Sequence, residues 1–182
     1  MDTRYGNEFK TTHSLLGLAE KWASTKSLIL RNSSSAKPEN INTMYDDFVG
    51  KTILPRIIQV GNASQLILGP DLDSYYAIDT VITKLPKLGQ LIGQANAHAT
   101  DLILTRENSE SKKQLIAFIL ARIEPALETI NNGLQTAVTE NPGLRGKLSA
   151  PIRTHIEAVK AFDDMLRRQV LDAGQATLQK SI

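Results

Sequence analysis

Apolar residues recur at steps of three and four residues through most of this chain, and that period constrains the fold more than any other feature. In the segment from about residue 40 to residue 67, the apolar positions are Ile41, Met44, Tyr45, Phe48, Ile53, Ile57, Val60, Ala63 and Ile67. Steps of three and four residues are the period of an amphipathic α-helix. Sustained alternation with β-branched residues is absent from the sequence, so we predict no strand.

We predict five helices, separated by short polar or proline-containing breaks. Their approximate ranges are 7–30, 40–67, 73–104, 111–140 and 144–179. Gly69-Pro70 ends the second helix, and Asn141-Pro142-Gly143 ends the fourth. Helices of about 30 residues are roughly 45 Å long and, when short turns join them, pack antiparallel. The sequence therefore predicts an all-α fold, an antiparallel bundle of about five long helices forming a single domain over residues 1–182.

Four prolines fall inside the predicted helices, at Pro55, Pro86, Pro125 and Pro151. Each proline lacks a backbone N–H donor and can kink its helix, so we expect proline-interrupted helices. One interpretation is gentle curvature around the core. The other is a local opening that makes room for a ligand.

The apolar stripes also predict which side chains face the core. In the third helix the stripe includes Val81 and Leu88. In the fourth helix it consists of Leu115, Phe118, Ile119, Ile123, Ala126, Leu127, Ile130 and Leu134.

Composition excludes several classes of function. The 21 Lys and Arg residues and the 19 Asp and Glu residues are mixed along the chain, with a net charge of +2, so we expect no nucleic-acid partner. The chain has no Cys, which excludes disulfides and thiolate metal sites. No apolar run approaches the roughly 20 residues that a membrane span requires.

The sequence also lacks the patterns of an active site. The three histidines, His13, His98 and His155, have no zinc-site spacing, and neither a nucleophile elbow nor a glycine-rich nucleotide loop is present. We therefore predict no catalytic residue, no metal, no cofactor and no enzymatic activity.

The densest polar cluster is DLDSYYAID, residues 71–79. Asp71, Asp73 and Asp79 occupy the first, third and ninth places of a calcium loop, but Tyr76 and Ile82 stand where that loop needs Gly and Glu. A structural interpretation is simpler, because Asp73 or Ser74 can cap the third helix.

Asp79 lies too far inside the predicted helix to cap it and needs another partner. Arg56, on the second helix, is a candidate for that partner. Together with Tyr75 or Tyr76, the pair predicts either a buried polar network or an anchor for a ligand. The candidate ligand-binding residues are therefore Arg56, Tyr75, Tyr76 and Asp79.

Three segments resemble one known family. Residues 60–76, VGNASQLILGPDLDSYY, resemble VGDxSNLILDPDLDSYYLMD in the N-terminal sensor regions of bacterial methyl-accepting chemotaxis proteins and transmembrane histidine kinases. Residues 84–86, KLP, resemble the family's RLP, and residues 140–145, ENPGLR, resemble its NPxLR. Asn62 and Gly69 stand where the family has Asp.

The resemblance implies a helical periplasmic region of an inner-membrane receptor. Such a region passes a shift induced by a ligand or partner to a cytoplasmic output domain. It implies that the chain is an excised piece of a membrane-anchored protein, that its partner is a small-molecule ligand or a periplasmic protein, and that the full receptor is a homodimer. The resemblance assigns no particular ligand.

Two other functions compete with this interpretation. A structural or adaptor bundle would act through protein–protein contacts without a small-molecule ligand. A metal-dependent helical enzyme would need paired Glu-x-x-His ligands facing inward, and the sequence has none.

Overall fold

The computed structural model describes residues 12–32, 38–65, 71–105 and 109–172, and nearly all of them are helical. They form five continuous helical segments, which are Thr12–Asn32, residues 38–63, residues 72–105, Glu110–Glu140 and residues 145–171. No residue in these ranges belongs to a strand. The all-α prediction is therefore confirmed. The predicted helical residues 7–11, 66–67 and 173–179 lie outside the described part of the chain.

Three of the segments contain a wider, π-helical turn. The first segment is α1 (Thr12–Asn32). The second consists of α2 (Pro38–Phe48), a first wide turn (Val49–Ile53) and α3 (Leu54–Ala63). The third consists of α4 (Leu72–Asp79), a second wide turn (Thr80–Lys84) and α5 (Leu85–Thr105). The last two are α6 (Glu110–Glu140) and α7 (Arg145–Leu166), and α7 continues into a third wide turn (Arg167–Leu171).

The first two wide turns each lie close to a proline. A single leucine separates each of them from a proline, in Leu54-Pro55 and Leu85-Pro86. Inside an α-helix the proline ring clashes with the carbonyl four residues back. In the wide turns the hydrogen bond reaches one residue further, as from the Leu85 N–H to the Thr80 carbonyl. The extra residue loosens the turn that contains the Ile82 carbonyl, which lies four residues before Pro86.

Not every proline has this effect. Pro125 lies inside α6 and Pro151 inside α7, where both helices stay α-helical. None of the four internal prolines ends its helix.

The chain divides into two compact units, unit 1 (Met1–Gln90) and unit 2 (Leu91–Ile182). The division falls inside α5, so one helix contributes to both units. The single domain that we predicted stays a prediction.

Unit 1 is built from helix pairs that meet through aromatic and small residues. The Trp22 ring of α1 lies 5.3 Å from the Phe48 ring of α2, centroid to centroid. Gly61 is buried in α3, and a Cβ atom there would lie only 2.7 Å from Ile82 Cδ1 of the second wide turn. Gly50 of the first wide turn similarly faces Gln90 of α5. These contacts link early residues of one helix to late residues of the other, so this helix pair is antiparallel.

Unit 2 contains most of the buried apolar side chains that the structure describes. In α6 the buried apolar residues are Ile116, Ile119, Leu120, Ile123, Leu127, Ile130, Ala137 and Val138. They recur at helical spacing, and α7, which contacts α6, supplies Ile152, Val159 and Leu166. Burying a side chain of this size contributes about 1.5–3 kcal/mol relative to leaving it in water.

Several predicted core positions are wrong. Leu115 and Phe118 of α6 are exposed, Phe118 to 63%, because the buried face of this helix is centred on Ile116 and Leu120 instead. Val81 is 62% exposed. It lies in the second wide turn, which departs from the 3.6-residue period on which the prediction was based.

A buried ion pair joins the end of α5 to the start of α6 within unit 2. Lys112 Nζ donates to Asp101 Oδ2 at 3.0 Å, and the two side chains are only 14% and 3% exposed. Ser109 caps α6 by accepting a hydrogen bond from the Lys112 N–H.

Candidate functional site

The candidate site begins at the start of α4, at the polar cluster of residues 71–79. Helix α4 begins at Leu72, and Asp71 precedes it in extended conformation, with its carbonyl accepting from the Tyr75 N–H at 3.0 Å. The predicted cap, Asp73 or Ser74, is wrong because both residues already lie in the first turn. The Asp73 carboxylate instead accepts from the Ser74 N–H at 2.7 Å.

Two tyrosines follow within the same helix. The rings of Tyr75 and Tyr76 lie 5.4 Å apart, centroid to centroid, in an edge-to-face arrangement. Such pairs bring the positive edge of one ring to the negative face of the other. Tyr75 is exposed and Tyr76 is half-buried, so the pair forms part of the surface of unit 1.

The second wide turn gives Asp79 its partner. Lys84 Nζ lies 2.8 Å from Asp79 Oδ2, and the same ammonium group lies 5.8 Å from the centroid of the Tyr76 ring. In an α-helix, residues three or four apart are neighbours, whereas residues five apart face different directions. A π turn advances the chain by one extra residue, which brings Lys84 over Asp79.

Arg56, the partner that we predicted for Asp79, is engaged elsewhere. Its Nη1 donates to Gln59 Oε1 at 2.6 Å within α3. Asp79 pairs with Lys84 instead of Arg56. The structure thus brings together Tyr75, Tyr76 and Asp79, and it does not join Arg56 to them.

A buried hydroxyl lies next to this cluster. Thr80 is 1% exposed, and its Oγ1 has no hydrogen-bond partner in the described part of the chain. A buried polar group without a partner is uncommon in folded proteins because it loses its hydrogen bonds to water without replacement. Thr80 is therefore a group of this cluster that can still accept or donate a hydrogen bond.

Lys84 is the functional candidate that sequence reasoning missed. Its distance from Asp79 in sequence is wrong for an α-helical pair, so the 3.6-residue period gives no reason to join them. The one available signal was Leu85-Pro86, since a proline inside a long helical pattern indicates a local change in helix geometry.

No group of three or more His, Asp or Glu side chains in the described ranges is placed to hold a metal ion. Nor is any helix in the same ranges long and apolar enough to cross a membrane.

No family model, no curated protein and no solved structure matches the chain.

Proposed function

We propose that this chain is an extracytoplasmic sensor module of a bacterial transmembrane receptor, either a chemoreceptor or a sensor histidine kinase. The observation that carries the proposal is the resemblance of residues 60–76 to the family's sensor segment. In this proposal the chain is a periplasmic, antiparallel helical bundle. Its full-length receptor is anchored in the inner membrane and acts as a homodimer.

The proposed ligand anchor combines the predicted residues Tyr75, Tyr76 and Asp79 with Lys84. It offers two phenol groups, one carboxylate and one ammonium group, which suit a small polar molecule or the surface of a periplasmic protein. Arg56 lies on α3, the helix whose Gly61 packs against the second wide turn, and it is the proposed contribution from a second helix.

The second wide turn suggests how ligand binding at the anchor is transmitted to α5. The Asp79–Lys84 ion pair spans the turn, so a ligand that binds either group competes with that pair. Losing the pair would free the turn to change its hydrogen-bond register and displace α5. Packed helices have discrete arrangements, so a small local change can be passed along them.

A thermal-shift screen of the purified chain against metabolites tests the sensor role. A ligand at a hundredfold excess over its dissociation constant adds about 2.7 kcal/mol of stability. For a chain of this size that corresponds to a rise in Tm of roughly 5–10 °C. We expect Asp79→Asn and Lys84→Met to reduce the shift produced by a true ligand.

Asp47→Asn is the matched control, because Asp47 also pairs with a helical lysine, Lys51 at 2.9 Å, away from the candidate anchor. A ligand whose shift falls equally in all three variants does not bind at the proposed anchor. The coding sequence gives a second test, since the receptor role requires membrane spans on both sides of this segment and a signalling domain beyond. A gene without them contradicts the proposal.

One observation favours the alternative function, a structural or adaptor bundle without a small-molecule ligand. Asp79 and Arg56 are each engaged by a residue of their own helical segment, as in a satisfied structural network. The same screen separates the two functions, because an adaptor would show no stabilisation by any metabolite while still binding a protein partner.

A further inference from the structure

A cleft opens between α6 and α7 in unit 2, far along the sequence from the candidate anchor. It has a volume of about 400 Å³, and its floor is formed by Ile123, Leu127 and Val159. A second cleft of about 280 Å³ shares Glu124, Leu127 and Lys160 with the first. The two therefore adjoin and form one elongated groove, which we call the α6–α7 cleft.

The walls of this cleft carry more negative than positive charge. The acidic side chains are Glu124, Glu128, Asp163 and Asp164, and the basic ones are Lys160 and Arg167. The chain as a whole has a net charge of +2, so the acidic excess is a local property of this surface.

Part of that charge is already neutralised inside the cleft. Arg167 Nε donates to Asp163 Oδ2 at 2.6 Å, and its Nη2 donates to Asp163 Oδ1 at 3.4 Å. This hydrogen bonding raises the pKa of Arg167, while partial burial lowers it, and the charges of Asp163, Glu124 and Asp164 raise it further. Arg167 is therefore held by carboxylates and is not free to receive an anion.

Three other carboxylates of the cleft remain available to bind a cation. The side chains of Glu124, Glu128 and Asp164 form no ion pair or hydrogen bond within the described ranges, and all three residues are exposed. Glu124 and Glu128 are one helical turn apart, which separates their Cβ atoms by about 5–6 Å. That separation suits two ammonium groups joined by a short methylene chain.

We propose that the α6–α7 cleft binds a linear aliphatic polyamine. Its methylene groups lie over Ile123, Leu127 and Val159, and its ammonium groups lie beside Glu124, Glu128 and Asp164. Alternating apolar and cationic groups match an apolar floor with carboxylates along the rim. A bare inorganic cation would leave the floor unused. The inference goes beyond the receptor role, since a bundle with no receptor function could carry the same cleft.

Calorimetric titration of the whole chain with spermidine tests the proposal. We expect saturable one-to-one binding that the double variant Glu124→Gln/Glu128→Gln weakens about tenfold, as two partly exposed charge contacts would. Lys160→Gln should have the opposite effect and tighten binding about threefold, because it removes a cation from the cleft wall.

Glu157→Gln is the control variant. Glu157 is an exposed residue of α7 outside the cleft, and its closest ionic partner is Arg153 at 4.0 Å. If Glu157→Gln weakens spermidine binding as much as the double variant does, the attraction is non-specific and the proposal is overturned. The proposal is also overturned if Lys160→Gln does not tighten binding.

Methyl NMR of the unaltered chain gives a readout that needs no variant. Spermidine should shift the methyl signals of Leu127 and Val159, while a monoamine of similar length should bind more weakly. No binding of spermidine, or shifts spread evenly over the chain, would overturn the proposal. Because all of these readouts lie in unit 2, they are independent of the proposed anchor at Tyr75 to Lys84.

Discussion

At the scale of single residues, the least tolerant positions are those where a small change leaves a group without space or without a partner. Gly61 lies against Ile82 with no room for a Cβ atom, and Asp101 is buried with Lys112 as its cation. Exposed positions of the same residue types occur elsewhere in the chain, so each site has a natural control.

Gly61→Ala should destabilise the protein although alanine favours helices. The new Cβ would lie 2.7 Å from Ile82 Cδ1 and 2.8 Å from Ile82 Cγ2, and overpacking of this kind costs about 1–3 kcal/mol. Gly89→Ala meets no atom within 4 Å and should stabilise by up to about 1 kcal/mol through helix propensity. Urea unfolding measures both free energies, and equal effects would show that α3 does not need a close approach at Gly61.

Lys112→Met should cost about 3 kcal/mol, because it leaves the buried Asp101 carboxylate without its cation. The comparison is Lys51→Met, whose pair with Asp47 is 75% and 55% exposed and should cost less than about 1 kcal/mol. Chemical denaturation gives both values. If the two substitutions cost the same, the Asp101–Lys112 pair contributes no more than a surface pair.

At the scale of elements, the wide turns are the part of the fold that the period of the sequence could not predict. The helices themselves follow from apolar spacing, and the Asn141-Pro142-Gly143 stop ends α6 at Glu140 as predicted. The first two wide turns lie beside Pro55 and Pro86, whereas Pro125 in α6 has no such turn. A proline in the sequence therefore does not by itself specify the local helix type.

The candidate site, too, could be predicted only in part from the sequence. Tyr75, Tyr76 and Asp79 could be selected from sequence as a polar cluster near a helix start. Their link to Lys84 could not, because it depends on the extra residue in the second wide turn. The predicted link between Asp79 and Arg56 assumed a contact between two helices. In the structure Asp79 instead pairs with Lys84 of its own helical segment.

The loss of stability caused by deleting Val81 should depend on Pro86. The deletion removes the extra residue of the second wide turn, restores α-helical geometry and brings the Pro86 ring against a carbonyl, at a cost of about 3 kcal/mol. Adding Pro86→Ala to the deletion should recover most of that loss. In a double-mutant cycle followed by thermal unfolding, we expect a coupling above about 1 kcal/mol.

Pro125→Ala provides the control for this cycle, because Pro125 lies within regular α6 in unit 2. Its coupling to the Val81 deletion should be near zero. If Pro86→Ala and Pro125→Ala rescue the deletion equally, the wide turn is not an accommodation of Pro86.

At the scale of the whole molecule, the buried apolar core is distributed unevenly between the two units. Among the described residues, the fully buried apolar side chains of unit 1 are limited to Leu88, whereas unit 2 contains all the others. Since buried apolar area is the main source of stability, unit 2 should be the more stable of the two.

Hydrogen exchange measured by mass spectrometry tests this difference. We expect the slowest amides in α6, between Ile116 and Ile130, and at least about tenfold faster exchange in α2 and α3, because amides in weakly buried elements open locally at lower free energy. Equal protection of these helices would mean that the two units open only together.

The aromatic residues of this chain have a consequence for spectroscopy. Its one tryptophan, Trp22, and its four tyrosines, Tyr5, Tyr45, Tyr75 and Tyr76, all belong to unit 1. Tryptophan emission therefore reports on the α1–α2 contact of Trp22 with Phe48, whereas the far-ultraviolet helical signal comes from both units. A fragment starting at Leu91 would have almost no near-ultraviolet absorbance, and a difference between emission and helicity curves would show directly which unit unfolds first.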